Sequence, residues 1–220
     1  MKYFKTLTLA MALVLVLSGS ALAATWDWTN LGLGPNPIGT TYHYTDGTNG
    51  VILAGYRVLN QTSAENLSYF QGDGFGVWGT PEDDEVASPE YLVLYFDAPV
   101  YLQEVYLTDL FYESGYFEQG TFGLGALGGT SYSFAQDDYS KTQSNSNGEY
   151  TLSMADYGLE DTLINVIWFT APGLSIQCQN HEFSLAGVSF ETTNVPVPGA
   201  VWLLGSGLIG LVGLRRNFQS

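Results

Sequence analysis

One cysteine, Cys178, and two histidines, His43 and His181, are all that 220 residues supply of the side chains most used in redox and metal chemistry. A single cysteine excludes an internal disulfide, so packing or bound ions must hold the fold together. The thiol reads as a small buried or half-buried side chain, with an intermolecular bridge as the alternative. Basic residues are as scarce, six Lys and Arg against 22 Asp and Glu, for a net charge of −16. Four of the six (Lys2, Lys5, Arg215 and Arg216) sit at the extreme ends of the chain. Only Arg57 and Lys141 remain among the 22 acids, two against 22, a net of −20 for the middle of the chain. Such a field repels nucleic acid, anionic membranes and acidic polysaccharides, and favours solubility and divalent cations. Nucleic acid is therefore not an expected partner.

Catalytic patterns are missing too. There is no G-x-S-x-G, no H-E-x-x-H and no glycine-rich phosphate loop leading into a helix. Cys178-x-x-His181 offers two zinc ligands without a matched second pair. As a nucleophile and base, residues three apart on an extended segment point to different sides. Paired carboxylates could serve a polysaccharide hydrolase, but 22 acids in one domain give close pairs by chance. The expectation is a protein that is not an enzyme.

What the chain does have begins with export. Lys2 and Lys5 form a basic start, Leu7 to Leu17 an apolar run of 11 residues, and Ala21-Leu22-Ala23 an A-x-A cleavage site. Together they read as a secretory signal peptide over residues 1–23, with the mature chain starting at Ala24. At the other end, Val195-Pro196-Val197-Pro198-Gly199 precedes the apolar run Ala200 to Leu214 and then Arg215-Arg216. As a helix those 15 residues reach about 22 Å against a hydrocarbon core of about 30 Å, short for a permanent anchor. The arginine pair sets the orientation, cytoplasmic side last.

The Val-Pro-x-Pro step, the glycine-rich apolar helix and the basic end resemble the PEP-CTERM protein-sorting tail over residues 195–220. Val197 stands where the namesake motif has glutamate, as in an apolar subgroup of that family. The resemblance implies a Gram-negative source making exopolysaccharide or biofilm, transient insertion in the inner membrane, and recognition by an exosortase. Cleavage near Pro196 to Pro198 would then deliver the upstream domain to the cell surface or extracellular matrix.

Between the two signals, residues 24–194 are enough for one sizeable core. No long stretch keeps a 3.6-residue period, whereas short β-rich runs alternate with Gly, Ser, Asn and Asp turns, which predicts an all-β fold. Strands are expected at Thr40 to Thr45 and Val51 to Leu59, around the turn Asp46 to Gly50. Tyr91 to Phe96 and Leu163 to Phe169 are apolar on both faces and read as central strands. The apolar alternation slips by one residue at Gln103-Glu104 and again at Ala186-Gly187, which predicts β-bulges. Further strands are expected at Thr121 to Gly125, Ser131 to Ala135 and Glu149 to Met154. Eight to ten short strands with bulges suit a jelly-roll-like two-sheet β-sandwich. Phe96 to Val100 and Glu182 to Val188 resemble phrases of the β-sandwich domains that precede this sorting tail.

Two kinds of site are candidates. Glu82-Asp83-Asp84-Glu85, with Asp73 before it, concentrates hard oxygen ligands for calcium, the only cofactor the sequence suggests; the alternative is a solvated acidic loop. Trp26 and Trp28 share a face of an extended segment, and Tyr112, Tyr116 and Phe117 cluster beside a glycine. Exposed, such rings stack on sugars; turned inward, they are core. The expected function is a structural or adhesive component of the extracellular layer, with a carbohydrate-binding module for exopolysaccharide as the alternative.

Overall fold

Runs rich in Val, Leu, Ile, Tyr and Phe, broken by Gly, Asn and Asp, become strands because branched and aromatic side chains fit a pleated, half-buried surface. A computed structural model describes residues 23–34, 37–57, 64–78, 85–113, 116–142, 147–172 and 181–192. The segment read as a signal peptide, through Leu22, the acidic residues Glu82, Asp83 and Asp84, Cys178 and the segment read as a sorting tail lie outside the described residues. Among those described, no helix is long and apolar enough to cross a membrane.

The strands are β1 (Ala23–Asp27), β2 (Thr41–Thr45), β3 (Gly50–Tyr56), β4 (Ala64–Phe70), β5 (Gly74–Trp78), β6 (Tyr91–Thr108), β7 (Tyr112–Glu113), β8 (Tyr116–Phe117), β9 (Gln119–Leu124), β10 (Ser131–Ala135), β11 (Tyr150–Ser153), β12 (Leu163–Thr170) and β13 (Ser184–Thr192). Short 3-10 turns follow β10 and β11, and no α-helix occurs among the described residues. The fold is all-β, as the turn spacing predicts.

Its axis is β6. The two apolar runs Tyr91 to Phe96 and Val100 to Leu107 are one 18-residue strand, bent where Asp97 and Ala98 are exposed. Its first half lies between β3 and β12, with Ala54 and Trp168 both opposite Val93. Its second half lies between β13 and β11, with Val188 and Leu152 both opposite Val105. Every pairing in this sheet is antiparallel, and a closed circuit runs β6, β3, β4, β5, β13 and back to β6. The sequence predicts two facing sheets; the hydrogen bonds describe one eleven-stranded sheet whose circuit of pairings gives a barrel-like arrangement. The β7–β8 hairpin is a separate two-stranded ribbon.

Both predicted bulges are present. Ser189 and Phe190 of β13 face Glu104 and Leu102, leaving Gln103 as the extra residue; Leu185 and Gly187 face Leu107 and Tyr106, leaving Ala186 extra. Each insertion restores the phase, so Val100, Leu102, Val105 and Leu107 all end buried. Strand β9 tolerates Gly120 and Gly123 because rings lie over them. A Cβ on Gly120 would collide with the Phe134 ring, and one on Gly123 with the Trp168 ring.

Candidate functional site

Strand β1 alternates inward at Trp26 and Trp28, which are 3% and 0% exposed. Trp26 sits 4.5 Å from Phe190 and Trp28 5.9 Å from Phe75, centroid to centroid, each edge to face. The Trp26 indole N–H donates to Asp46 Oδ2 at 3.1 Å. Their shared face is therefore the core face, and rings so covered offer nothing to a sugar. This corrects the stacking role that their spacing suggests: period-two placement does not say which side of the sheet is wet.

The exposed aromatic group is instead on the β7–β8 ribbon. Tyr112 lies 4.8 Å from Phe117 and 5.3 Å from Tyr139. Tyr116 is 41% and Tyr139 59% exposed. Tyr139 comes from the turn after β10, so its part in the cluster had no signal in the local sequence.

Of the acidic candidates, Asp73 and Glu85 are among the described residues. Asp73 immediately precedes β5 and Glu85 follows its far end, where the Glu85 carbonyl accepts from Val77 N at 3.1 Å. Asp73 Oδ1 accepts from Asn147 Nδ2 at 2.7 Å. Among the described residues no three His, Cys, Asp or Glu side chains converge on a metal-sized point. Of the calcium ligands expected from sequence, Asp73 is thus separated from Glu85 by a strand.

The two histidines sit in different surroundings. His43 Nε2 and Asp97 Oδ2 are 3.1 Å apart on the surface, each side chain about half exposed. His181 is buried, and its Nδ1 accepts from Gln119 N at 3.2 Å, so it is held as a neutral acceptor. Burial pushes its pKa below the ordinary imidazole value.

A cleft with no counterpart in the sequence pattern lies on the outer face of β1, β13, β6 and β11. Across these strands Trp26, Val188, Val105 and Leu152 are Cα partners and all point into the core. The flanking rows, Asp27, Gly187, Tyr106 and Thr151 on one side and Thr25, Ser189, Glu104 and Ser153 on the other, must face outward. Here a cleft of about 460 Å³ opens, lined among others by Thr25, Asp27, Tyr106, Asn147, Glu149 and Thr151. Gly187 adds no side chain to its row, and a Cβ there would strike the Trp26 carbonyl. Tyr106 is fixed by the hydrogen bond from its hydroxyl to Glu104 Oε2 at 2.6 Å. Burial, and after it Glu104, raises the Tyr106 pKa above the usual phenol value.

Three loops wall one end of the cleft and are tied to each other. Gly72 N donates to the Thr29 carbonyl at 2.7 Å, and Asn147 Nδ2 donates to the Gly72 carbonyl at 3.0 Å. The Thr108 hydroxyl donates to the Asp73 carbonyl at 2.8 Å. Asp27 Oδ1 accepts from both the backbone N–H and the hydroxyl of Thr29, at 2.9 and 2.7 Å. Beside Asn147, Gly148 has φ of 58°, and a Cβ there would come within 2.5 Å of Leu110 N, so glycine is required to bring this loop against β6. Tyr150, whose backbone begins β11, stacks on Phe134 and stays protonated, its pKa pushed up to about 12 by burial and then by Tyr157, Asp137 and Asp156. The cleft thus combines apolar surface with hydroxyl, amide and carboxylate groups, and among the described residues its lining holds two acids and no Lys or Arg. Comparison with protein-family models, with curated proteins and with solved structures finds no match to this chain.

Proposed function

We propose that the chain is an exported, non-catalytic protein of the cell surface or extracellular matrix, a structural or adhesive component delivered through an exosortase. The observation that carries this reading is the extent of the folded unit, Ala23–Thr192. It starts beside the proposed signal-peptide cut and stops just before the Pro-x-Pro motif, so removing both segments read as signals takes from the strands only Ala23, the first residue of β1. A jelly-roll-like sandwich, with two flaps of the folded sheet facing each other across the aromatic core, is the finer architecture we propose for that unit.

The test is the intact mass of the protein recovered from an exosortase-carrying strain. It should lack Met1 to Ala23 and everything after a point near Pro196 to Pro198. Replacing Pro196 and Pro198 with Ala should leave an uncut, membrane-held precursor. Recovery of the wild-type chain with its tail entire would replace the sorting reading with a plain anchor.

Binding of exopolysaccharide is the second reading, favoured by the Tyr112, Tyr116, Phe117 and Tyr139 group, in which Tyr116 and Tyr139 are exposed, since exposed rings pair with the apolar faces of sugars. A polysaccharide hydrolase ranks behind both.

A further inference from the structure

We propose that the cleft on the outer face of β1, β13, β6 and β11 binds an uncharged saccharide chain. Tyr106 forms its floor, and Asp27, Glu149 and Thr151 take the sugar hydroxyls. This deepens the saccharide reading above, rests on it, and assigns it a site away from the tyrosine group.

The chemistry of the lining selects the ligand class. Asp27 and Glu149 contribute carboxylates, Thr25, Thr29 and Thr151 hydroxyls, and Asn147 an amide, with no cation among the described lining residues to offset them. An anionic ligand would meet like charge from the lining and from the −20 field of the whole domain. An apolar ligand would strip water from these groups and return no hydrogen bonds. A bound metal needs converging ligands, and no such group exists among the described residues. A polyhydroxyl ligand without negative charge satisfies each group: carboxylates accept from paired hydroxyls, and threonines donate or accept as the sugar requires. The size fits as well, since about 460 Å³ falls within the range of about 300–1,000 Å³ typical of small-ligand sites.

Rigidity adds to the case. The walls are fixed before any ligand arrives, by the hydrogen bonds among Thr29, Gly72, Asp73, Asn147 and Thr108 and by the pinned Tyr106 hydroxyl. A site whose polar groups already hold their positions loses little entropy on binding, which matters for a ligand as heavily hydrated as a sugar.

The experiment is calorimetric titration of the full chain, held in a zwitterionic detergent that contains no sugar. The probes are hexasaccharides of β-1,4-glucose, α-1,4-glucose and β-1,4-mannose, with hexagalacturonate as the anionic counterpart. At least one neutral hexasaccharide should bind saturably and hexagalacturonate should not. The surface double variant Asp27→Asn, Thr151→Val should weaken binding at least tenfold at an unchanged melting temperature, and His43→Gln should leave it as it was. Glu149→Gln, a second and separate variant, should weaken it in the same direction. Binding lost with Tyr112→Ala but intact in the cleft variants would overturn the cleft and leave the saccharide reading standing. Silence from all three neutral probes would overturn both, and equal binding of hexagalacturonate would overturn the uncharged class.

Discussion

His181 shows at the scale of one residue how burial decides a role that sequence leaves open. Three residues after the only cysteine, it suggests a ligand or a base; in the fold its ring is covered and takes a backbone N–H from Gln119. Burial holds its pKa below the ordinary value. The unfolded chain protonates this ring near pH 6.5 while the folded chain resists, so the contribution of neutral His181 is complete above about pH 6.5. It is lost as pH falls through the lowered folded value. Replacing His181 with Gln, which keeps an acceptor for the Gln119 N–H, should flatten the fall in melting temperature as the pH drops below about 6.5. Parallel curves for variant and wild type would refute this account. Trp26 and Trp28 teach the same lesson from the other side: their spacing places them correctly on one face, and only the neighbours Phe190 and Phe75 identify that face as dry.

Among the elements, the bulges carry the most information per residue. Gln103 exists in the ladder only as the extra member opposite the Ser189 to Phe190 step. Deleting it removes no buried apolar group, yet shifts either Val100 and Leu102 or Val105 and Leu107 to the wet face. The deletion should therefore cost more than Gln103→Ala, which should change stability by less than about 1 kcal/mol. Urea denaturation of the two variants checks it, and equal midpoints would contradict the bulge assignment. Both bulges were legible because a phase slip in an alternating pattern is a local signal. So was β10, found over Ser131–Ala135 where the pattern predicts it. Strands β4 and β5 were not legible. Ser68 is fully buried and breaks the apolar alternation of β4, while β5 interleaves Gly74 and Gly76 with Phe75 and Val77 and is buried on both faces. The cleft was beyond reach for a different reason: its lining is drawn from well-separated stretches that only the β1, β13, β6 and β11 pairing assembles.

For the whole molecule, the charge is the dominant fact. An excess of 20 acids over bases in the middle of the chain makes the folded state self-repelling, and cations that bind it should relieve that strain. Because Asp73 lies across β5 from Glu85, a calcium site at Glu82 to Glu85 would have to be completed within that acidic run. Calcium should then raise the melting temperature at concentrations where magnesium does not, and Asp83→Asn with Asp84→Asn should abolish the difference. Identical melting in calcium, magnesium and EDTA would leave a solvated acidic loop. The position of the chain ends has a mechanical meaning. Among the described residues β13 is the last strand, held by β6 on one side and β1 on the other, with Glu191 opposite both Ala23 and Tyr101. Ladder hydrogen bonds run perpendicular to their strands. A tether drawn out of Thr192 along the strand axis would load those bonds together in shear. Under such a load the domain would hold in the way a strap holds and not in the way a zip opens.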